Sequence, residues 1–215
     1  MNESMNPAYK ERWDERYKDP EFAYGKAPNL FFKDWLQQFK PGAILMPADG
    51  EGRNGVYAAE LNWQVTAFDL SVEGKLKALE LAKEKNVSIE YIVGNLEDLD
   101  FEPESFDAIA LIYAHFSAGL KSILHKKLQK YLKPGGIIIM EAFSKQHLNF
   151  STIDPKVGGP KEIDMLFSIA EIQADFKDYE PLVLEERVVV LEEGKYHIGQ
   201  GAVIRFVGRK PTTHD

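Results

Sequence analysis

A glycine-rich segment lies between an apolar run and a helix-forming run, and an aspartate follows after the next apolar run. The segment spans residues 44–55 and has the sequence ILMPADGEGRNG, in which Gly50 and Gly52 are two of the glycines. Glycine lets the backbone approach a ligand closely, and a helix N-terminus favours negative charge. Asp69 stands where a carboxylate can accept hydrogen bonds from both hydroxyl groups of a ribose. These residues predict a site for an adenosine-containing ligand.

The glycine pattern leaves the ligand open. Gly50, Gly52 and Gly55 spell G-x-G-x-x-G, the fingerprint of dinucleotide-binding sites. The pattern does not separate NAD from S-adenosylmethionine, because both ligands place a ribose against the acid on the second strand. A purely structural interpretation, in which the glycines only permit a tight strand-to-helix turn, is the alternative.

Two titratable side chains are candidates for acid–base catalysis. His115 follows the predicted fourth strand and Glu141 follows the fifth, and ligands bind at the carboxyl ends of strands in open α/β sheets. No pair of histidines has a metal-ligand spacing, so no metal site is predicted. His125 lies among lysines in a predicted helix, and we predict that it is on the surface.

An aromatic stripe precedes the first strand. Tyr9, Trp13 and Tyr17 recur every four residues and share one helix face, while Arg12 and Arg16 share another. One interpretation is a helix that packs on the sheet and leaves its arginines in solvent. The other is a lid in which Arg16 pairs with a carboxylate of the ligand, as arginine does well.

The elements that position these residues alternate along the chain. Short apolar runs separated by amphipathic segments are typical of βαβ units and a parallel sheet. Strands are predicted at residues 43–46, 65–68, 89–93, 107–113 and 137–140, with a closing pair at 187–191 and 202–207. Helices are predicted at 53–61, 71–85, 120–132 and 168–176, and in the second of these Leu76, Leu79 and Ala82 share the apolar face. A turn is predicted at residues 133–136, and a loop at 149–160 is long enough to be a lid.

Composition limits the function classes. The 215 residues predict one domain, with an N-terminal helical lid (1–40), a core (41–209) and a polar tail (210–215). The net charge of −8 argues against nucleic acid and anionic membranes as partners. The absence of cysteine excludes disulfides, thiolate zinc sites and cysteine nucleophiles. With no signal-like segment and no long apolar stretch, a cytoplasmic location is expected.

The combination of motifs resembles a known family. ADGEGRNGVYAAELNWQVTAFDLS is similar to the first two motifs of class I S-adenosylmethionine-dependent methyltransferases, particularly the small bacterial branch near the tellurite-resistance and thiopurine methyltransferases. The similarity continues through GNLEDLDFEPESFDAIALIYAHF and LKPGGIIIMEAF, and it includes the leading WDERY and YGKAPN segments. It covers nearly the whole chain.

The resemblance implies a fold, a cofactor and a set of binding residues. The fold is a Rossmann-like three-layer α/β/α sandwich, whose seven-stranded, mostly parallel sheet has an antiparallel last strand. The cofactor is S-adenosylmethionine. Residues that the resemblance places around it are Gly50 and Gly52 at the methionine portion, Asp69 at the ribose, Leu70, Asn95, Leu96 and Glu97 at the adenine, and Tyr113, Ala114 and His115 beneath the sulfonium. Ala48, Asp49 and Arg16 are also predicted to bind the cofactor.

The chain departs from the family pattern in the first motif. Met46 stands where an acid is usual, and Ala48 replaces the first glycine, although Asp49 can compensate in part.

The resemblance implies methyl transfer to a small-molecule acceptor by in-line displacement. One alternative is an NAD-dependent oxidoreductase, against which the chain has no Tyr-x-x-x-Lys pair. Another is a non-catalytic protein that binds S-adenosylmethionine.

Overall fold

The structure, a computed structural model, describes residues 7–212. Predictions for residues 1–6 of the N-terminal segment and for 213–215 of the polar tail therefore lie outside the described residues. Helices in the described part are α1 (Pro7–Tyr17), α2 (Leu30–Leu36), α3 (Arg53–Glu60), α4 (Val72–Glu84), α5 (Lys121–Tyr131), α6 (Leu148–Ser151) and α7 (Ile169–Asp175). None of the helices within residues 7–212 is long and apolar enough to cross a membrane.

One mixed sheet runs through the molecule. Its strands are β1 (Ala43–Pro47), β2 (Gln64–Asp69), β3 (Glu90–Val93), β4 (Phe106–Ile112), β5 (Leu132–Phe143), β6 (Glu180–Glu193) and β7 (His197–Arg209). They lie in the order β3-β2-β1-β4-β5-β7-β6, with β1 to β5 parallel and β7 antiparallel to both of its neighbours. The predicted seven-stranded sheet with an antiparallel last strand is confirmed.

Apolar side chains fill the space on both faces of the sheet. On one face, α2 and α3 contribute Phe32, Leu36 and Ala58 to a buried cluster. On the other face, α5 and α7 contribute Leu128 and Ile172. Strands buried on both sides in this way are almost continuously apolar, which is why the central strands were recognisable in the sequence. The three-layer arrangement is therefore as predicted.

The closing strands are much longer than the sequence predicts. Strands β6 and β7 pair from Glu180 opposite Arg209 to Glu193 opposite His197, well beyond the predicted 187–191 and 202–207. The prediction was too short because β6 is an edge strand with exposed charged residues, and it lacks a continuous apolar run. The tip of this hairpin consequently reaches the carboxyl edge of the parallel strands.

The predicted turn at residues 133–136 lies inside β5. The partner of β5 in β4 changes from Phe106, opposite Leu132, to Ala108, opposite Ile137. The four residues between these pairs bulge out of the ladder with β4, and Gly135 has the positive φ of 75° that such a bulge allows. The loop predicted at 149–160 is also partly helical, since α6 and a short 3-10 helix at Pro155–Val157 lie within it.

The predicted apolar face of α4 is wrong. Leu76 is 57% exposed and Leu79 is 39% exposed, and of the three predicted residues only Ala82 is buried. The buried face instead carries Leu81 together with small residues such as Ala78, which let α4 lie close against the glycine-rich turn. Ser71 caps this helix as predicted, since its Oγ accepts a hydrogen bond from the amide of Gly74 at 3.0 Å.

His125 is also not where the sequence places it. Its side chain is completely buried, and its Nδ1 lies 2.7 Å from a carboxylate oxygen of Asp175. The surrounding lysines suggested a surface position. The helix α5, however, turns His125 towards the aromatic rings of Phe167 and Phe176. The prediction failed because it rested on the charged neighbours of His125 in the sequence, which do not show that His125 itself lies on the apolar face of the helix.

Candidate cofactor-binding site

The turn between β1 and α3 has an unusual backbone. Ala48, Gly50 and Gly52 have φ values of 53°, 54° and 81°, in the left-handed region. A Cβ atom on Gly52 would lie 2.5 Å from the Cβ of Ala78, and one on Gly50 would lie 2.6 Å from the hydroxyl of Tyr17. Both glycines are thus required by the backbone and by close approach of α4 and α1. Ala48 is exposed, so its methyl group meets no such obstacle.

Asp49 supplies the support that Met46 cannot. Met46 is buried in the sheet, where its side chain joins the apolar cluster. The Asp49 carboxylate accepts a hydrogen bond from the amide of Gly55 at 3.1 Å. Gly52, the N-cap of α3, has no side chain with which to do this. Asp49, a residue of the turn, therefore bonds the turn to the first turn of α3. Burial raises the pKa of Asp49 well above its usual range.

Asp69 ends β2 beside this turn. One of its carboxylate oxygens accepts the amide of Gly50 at 3.1 Å, and the other accepts the amide of Ser71 at 3.0 Å. Burial raises the pKa of Asp69 to about 6, although the hydrogen bonds from backbone amides lower it. Each carboxylate oxygen has two acceptor sites, so each keeps one for a further donor. The donor set that fits is a pair of hydroxyl groups, as on a ribose.

The loop after β3 is joined to Asp69. The amide of Gly94 donates to the Asp69 carbonyl at 2.9 Å, and the Asn95 amide group donates to Glu97 at 2.9 Å. The side chain of Leu96 is buried in the core. Leu70, in contrast, is partly exposed directly after β2. The structure thus brings the four predicted adenine-edge residues together at one end of β2 and β3.

The carboxyl end of β4 holds the residues predicted to lie beneath the sulfonium. Tyr113 has a φ of 53°, which is uncommon for a bulky residue and costs of order 1–3 kcal/mol. Ala114 is buried beside it. His115 follows, and both of its ring nitrogens are hydrogen bonded to the backbone: Nδ1 to the carbonyl of Met165 at 3.0 Å, and Nε2 to the amide of Phe143 at 3.3 Å. Burial lowers the pKa of His115 to about 4, so its ring is neutral at pH 7.

Glu141, at the corresponding position of β5, is surrounded by donors. Its Oε1 accepts hydrogen bonds from the Asn29 amide at 2.6 Å and from the Tyr113 hydroxyl at 3.0 Å. Its Oε2 lies 2.5 Å from Nε of Arg205. The side chain is almost fully buried. The structure therefore places Glu141 at the predicted edge of the sheet, with both oxygens engaged.

Arg16 lies between two aromatic rings. Its guanidinium carbon is 5.0 Å from the ring centre of Trp13 and 4.4 Å from that of Tyr196 on the β6–β7 hairpin. One nitrogen donates to the Tyr24 hydroxyl at 2.6 Å. Arg16 thus has an ordered guanidinium with donors to spare, whereas Arg12 is exposed. The aromatic stripe is continuous from Tyr9 to Tyr17, but Arg16 lies over its Trp13 ring and is not separated from it as predicted.

Three residues that the sequence did not single out fasten the N-terminal segment to the site. Asp14 accepts hydrogen bonds from the Ser71 hydroxyl and from the first amides of α4. Glu51, inside the glycine-rich turn, accepts the amide of Ala23 at 2.8 Å and pairs with Lys77 at 2.6 Å. Lys77 also donates to the carbonyls of residues 19 and 21. The segment after α1 is therefore held directly over the turn.

A second unpredicted group joins the turn to the hairpin tip. Arg53 begins α3 and forms an ion pair with Glu193 at 3.0 Å, and Glu193 also contacts His197 at 3.0 Å. The sequence does show charged residues between the two closing strands. Their position could not be predicted, because the predicted strands ended several residues short of the hairpin tip.

Part of the chain is similar to known methyltransferases. Residues 44–136 match the family described as methyltransferase domain. The chain is 30% identical over 108 residues to the uncharacterized methyltransferase YbaJ of Bacillus subtilis, a match that covers 50% of this chain and 42% of that one. It is 41% identical over 49 residues to sterol 24-C-methyltransferase of Candida albicans, covering 23% of this chain and 13% of that one. The matches thus span less than half of the length of these curated relatives.

Solved structures share the fold. TehB from Haemophilus influenzae superposes with a TM-score of 0.68 at 19% sequence identity, covering 83% of this chain and 61% of that one. Residues 44–136 thus match a methyltransferase domain, and the sheet has the fold that TehB shares, as the sequence resemblance predicts. The sequence resemblance to this family is confirmed.

Proposed function

We propose that this protein transfers the methyl group of S-adenosylmethionine to a small-molecule acceptor by in-line displacement. The observation that carries the proposal is the carboxylate of Asp69, fixed by two backbone amides at the end of β2 and beside the glycine-rich turn. A carboxylate held this way is suited to two ribose hydroxyls. The strand order with its antiparallel β7 supports methyl transfer over the NAD-dependent alternative, whose sheets have the order 3-2-1-4-5-6.

The other cofactor contacts in the proposal follow from the site. Gly50 and Gly52, with Ala48 and Asp49, lie against the methionine portion, and Arg16 pairs with its carboxylate. The spare donors of the Arg16 guanidinium support this pairing. Residues proposed for the adenine are Leu70, Asn95, Leu96 and Glu97, and those proposed near the reacting methyl group are Tyr113, Ala114, His115 and Glu141.

The acceptor is proposed to be small and not a nucleic acid. The net charge of −8 disfavours a phosphate backbone. S-adenosylmethionine supplies an electrophilic methyl group whose leaving group needs no protonation. The chain therefore has to hold the acceptor in line and exclude water. The aromatic rings of Trp13, Tyr24 and Tyr196 around Arg16 are suited to excluding water.

Binding of the product S-adenosylhomocysteine should raise the melting temperature of the protein clearly, and NAD should not. A ligand that binds only the folded state adds about 2.7 kcal/mol of stability at one hundred times its dissociation constant. Differential scanning fluorimetry with each ligand makes the comparison. A shift with NAD and none with either methionine cofactor would reject the proposed function. Binding without any turnover would leave the non-catalytic alternative.

We further propose that the N-terminal segment up to about Asn29, of which residues 7–29 are described, closes over the cofactor as a lid. Trypsin should cut the protein between Lys10 and Lys26 more slowly when S-adenosylhomocysteine is bound, because the ligand adds contacts to Arg16 and to the turn beneath Glu51. Gel analysis of a digestion time course measures the two rates.

NAD at the same concentration is the matched ligand control in that digestion. A variant that lacks the segment should fold and bind the cofactor weakly. Equal cleavage rates with and without ligand, together with full affinity after the deletion, would mean that the segment only packs against the sheet.

A further inference from the structure

His197 has an imidazole with one oriented nitrogen and one unused nitrogen. It begins β7 at the edge of the sheet where the parallel strands end, and it is only 5% exposed. Its Nδ1 lies 3.0 Å from Oε2 of Glu193. Among residues 7–212, no group forms a hydrogen bond with its Nε2. A proton on Nδ1 that donates to Glu193 leaves Nε2 with a free lone pair.

The other two histidines at this edge lack such a nitrogen. His115 and His147 each use both ring nitrogens in hydrogen bonds with backbone amide and carbonyl groups. Either ring would have to break a backbone hydrogen bond before it could take a proton. Within the described part of the chain, His197 is therefore the histidine of this edge that is ready to accept one.

Glu193 is itself held in place by two further donors. Arg53, at the start of α3, lies 3.0 Å from Oε2, and the Asn29 amide lies 3.0 Å from Oε1. The carboxylate therefore cannot turn away from His197 without breaking these contacts. A base oriented by a third group in this way has the arrangement that activates nucleophiles in many enzymes.

The imidazole also lies where the acceptor must approach. Its ring centre is 4.5 Å from that of Tyr113, at the carboxyl end of β4, and 4.6 Å from that of Tyr24. Tyr24 accepts the hydrogen bond from Arg16. His197 thus stands between the strand end proposed to face the methyl group and the side chain proposed to bind the cofactor carboxylate.

We propose that His197, oriented by Glu193, is the general base that deprotonates the methyl acceptor, and that the acceptor is a small molecule with a hydroxyl or thiol group. This inference rests on the proposed methyltransferase function. A lone pair of the acceptor's oxygen or sulfur forms the bond to the methyl carbon, and the sulfonium sulfur keeps the electron pair of the bond that breaks. The acceptor's proton passes to Nε2 of His197, and the resulting imidazolium is stabilised by Glu193 before it returns the proton to solvent.

The charged and titratable groups around the imidazole are compatible with this role. Burial lowers the pKa of His197, Glu193 raises it, and the nearby arginines lower it. The ring is consequently neutral at pH 7 and able to take a proton. The groups that face it are Glu193 on β6, Arg53 on α3, Arg16 on α1, Tyr24 in the segment after α1 and Tyr113 at the end of β4, and the neutral rings of His115 and His147 also interact with it.

Side-chain nitrogen NMR tests the geometry without a turnover measurement. In the complex with S-adenosylhomocysteine, the His197 signal, assigned by its loss in His197→Gln, should show a proton on Nδ1 and none on Nε2 at pH 7. Glu193→Gln should lower the imidazole pKa of His197, because it removes the negative charge. Glu192→Gln, at an exposed neighbouring position, is the matched control and should leave that pKa unchanged.

Two probe acceptors of similar shape test the chemistry. Phenol is protonated at pH 7, whereas thiophenol is largely ionised and needs no base. His197→Gln should slow methylation of phenol at least 100-fold, within the range of general-base contributions of roughly 10²–10⁴. It should slow methylation of thiophenol less than about threefold, since the base contributes nothing to that reaction.

The outcomes separate this inference from the function on which it rests. If the wild-type protein does not bind S-adenosylhomocysteine in a calorimetric titration, the methyltransferase proposal fails. If it binds the ligand but Nε2 of His197 carries the proton, or the Glu193→Gln and Glu192→Gln variants shift its pKa equally, His197 is not the base. Equal loss of both probe reactions in His197→Gln would likewise assign it a structural role. Where neither probe is methylated, the NMR result can still reject His197 as the base.

Discussion

The substitution Asp69→Asn should weaken the binding of S-adenosylhomocysteine roughly 100-fold or more at pH 7. Hydrogen bonds to a charged acceptor are worth roughly 1.5–3 kcal/mol each, and the carboxylate of Asp69 is proposed to accept two from the ribose. An amide has a single acceptor oxygen, and the backbone amides of Gly50 and Ser71 already compete for it. Isothermal titration calorimetry of the two proteins measures the loss.

The same residue should make cofactor affinity depend on pH. Burial raises the pKa of Asp69 to about 6, so the carboxyl is increasingly protonated below that pH. Since the ligand binds the ionised form, affinity should fall up to about tenfold for each pH unit below the pKa. Titrations at pH 5 and pH 7 should therefore differ in the wild-type protein and agree in Asp69→Asn. Equal pH dependence in both would mean that Asp69 does not contact the ribose.

The stability of the ligand-free protein should show the opposite trend. The pKa of Asp69 in the folded state lies above its unfolded value of 3.8, so the folded protein holds the proton more tightly. Its contribution to stability is therefore present below about pH 4 and is lost as the pH rises to about 6, by about 3 kcal/mol. The difference in unfolding free energy between the wild type and Asp69→Asn isolates this contribution. Asp34→Asn, at an exposed position on α2, should show no comparable change.

The part of the site that the sequence predicts is the part encoded locally. The glycine-rich turn and Asp69 belong to adjacent elements, and a parallel β1–β2 pair brings their ends together whatever else the chain does. For Asp69, the predicted end of its strand was enough to locate it beside the glycine-rich turn. The N-cap of α4 at Ser71 was predictable for the same reason, since capping depends on neighbouring residues alone.

The missed residues depend on contacts between distant segments. Glu193 meets Arg53 and Asn29, which lie 140 and 164 residues away in the sequence. Their contact requires β6 and β7 to extend to the carboxyl edge, and edge strands with alternating charges do not reveal their length. The buried face of α4 was missed because the prediction looked for large apolar side chains. The small residues that permit close approach to the turn do not stand out as apolar in the sequence.

Glu141→Ala should lower the unfolding free energy by about 3–5 kcal/mol. The substitution leaves the guanidinium of Arg205 without its partner and leaves Asn29 and Tyr113 without their common acceptor. Chemical denaturation measures the change. The double variant Glu141→Leu and Arg205→Met should recover a large part of the loss, because it removes both charges and keeps an unbranched chain against Phe31. Additive effects of the two single variants would show that the pair is not coupled.

The variant Glu141→Gln separates a structural role from the acid–base role that the sequence suggests. Its side-chain amide can still accept hydrogen bonds from Asn29 and Tyr113, but it cannot exchange a proton at pH 7. If Glu141 acts in the proton transfer, the variant should fold and bind S-adenosylhomocysteine normally while methylation of phenol falls roughly 100-fold. If Glu141 instead holds its neighbours, turnover should stay within a few-fold while stability drops. The three donors around its carboxylate favour the second result, because a proton on either oxygen would displace one of them.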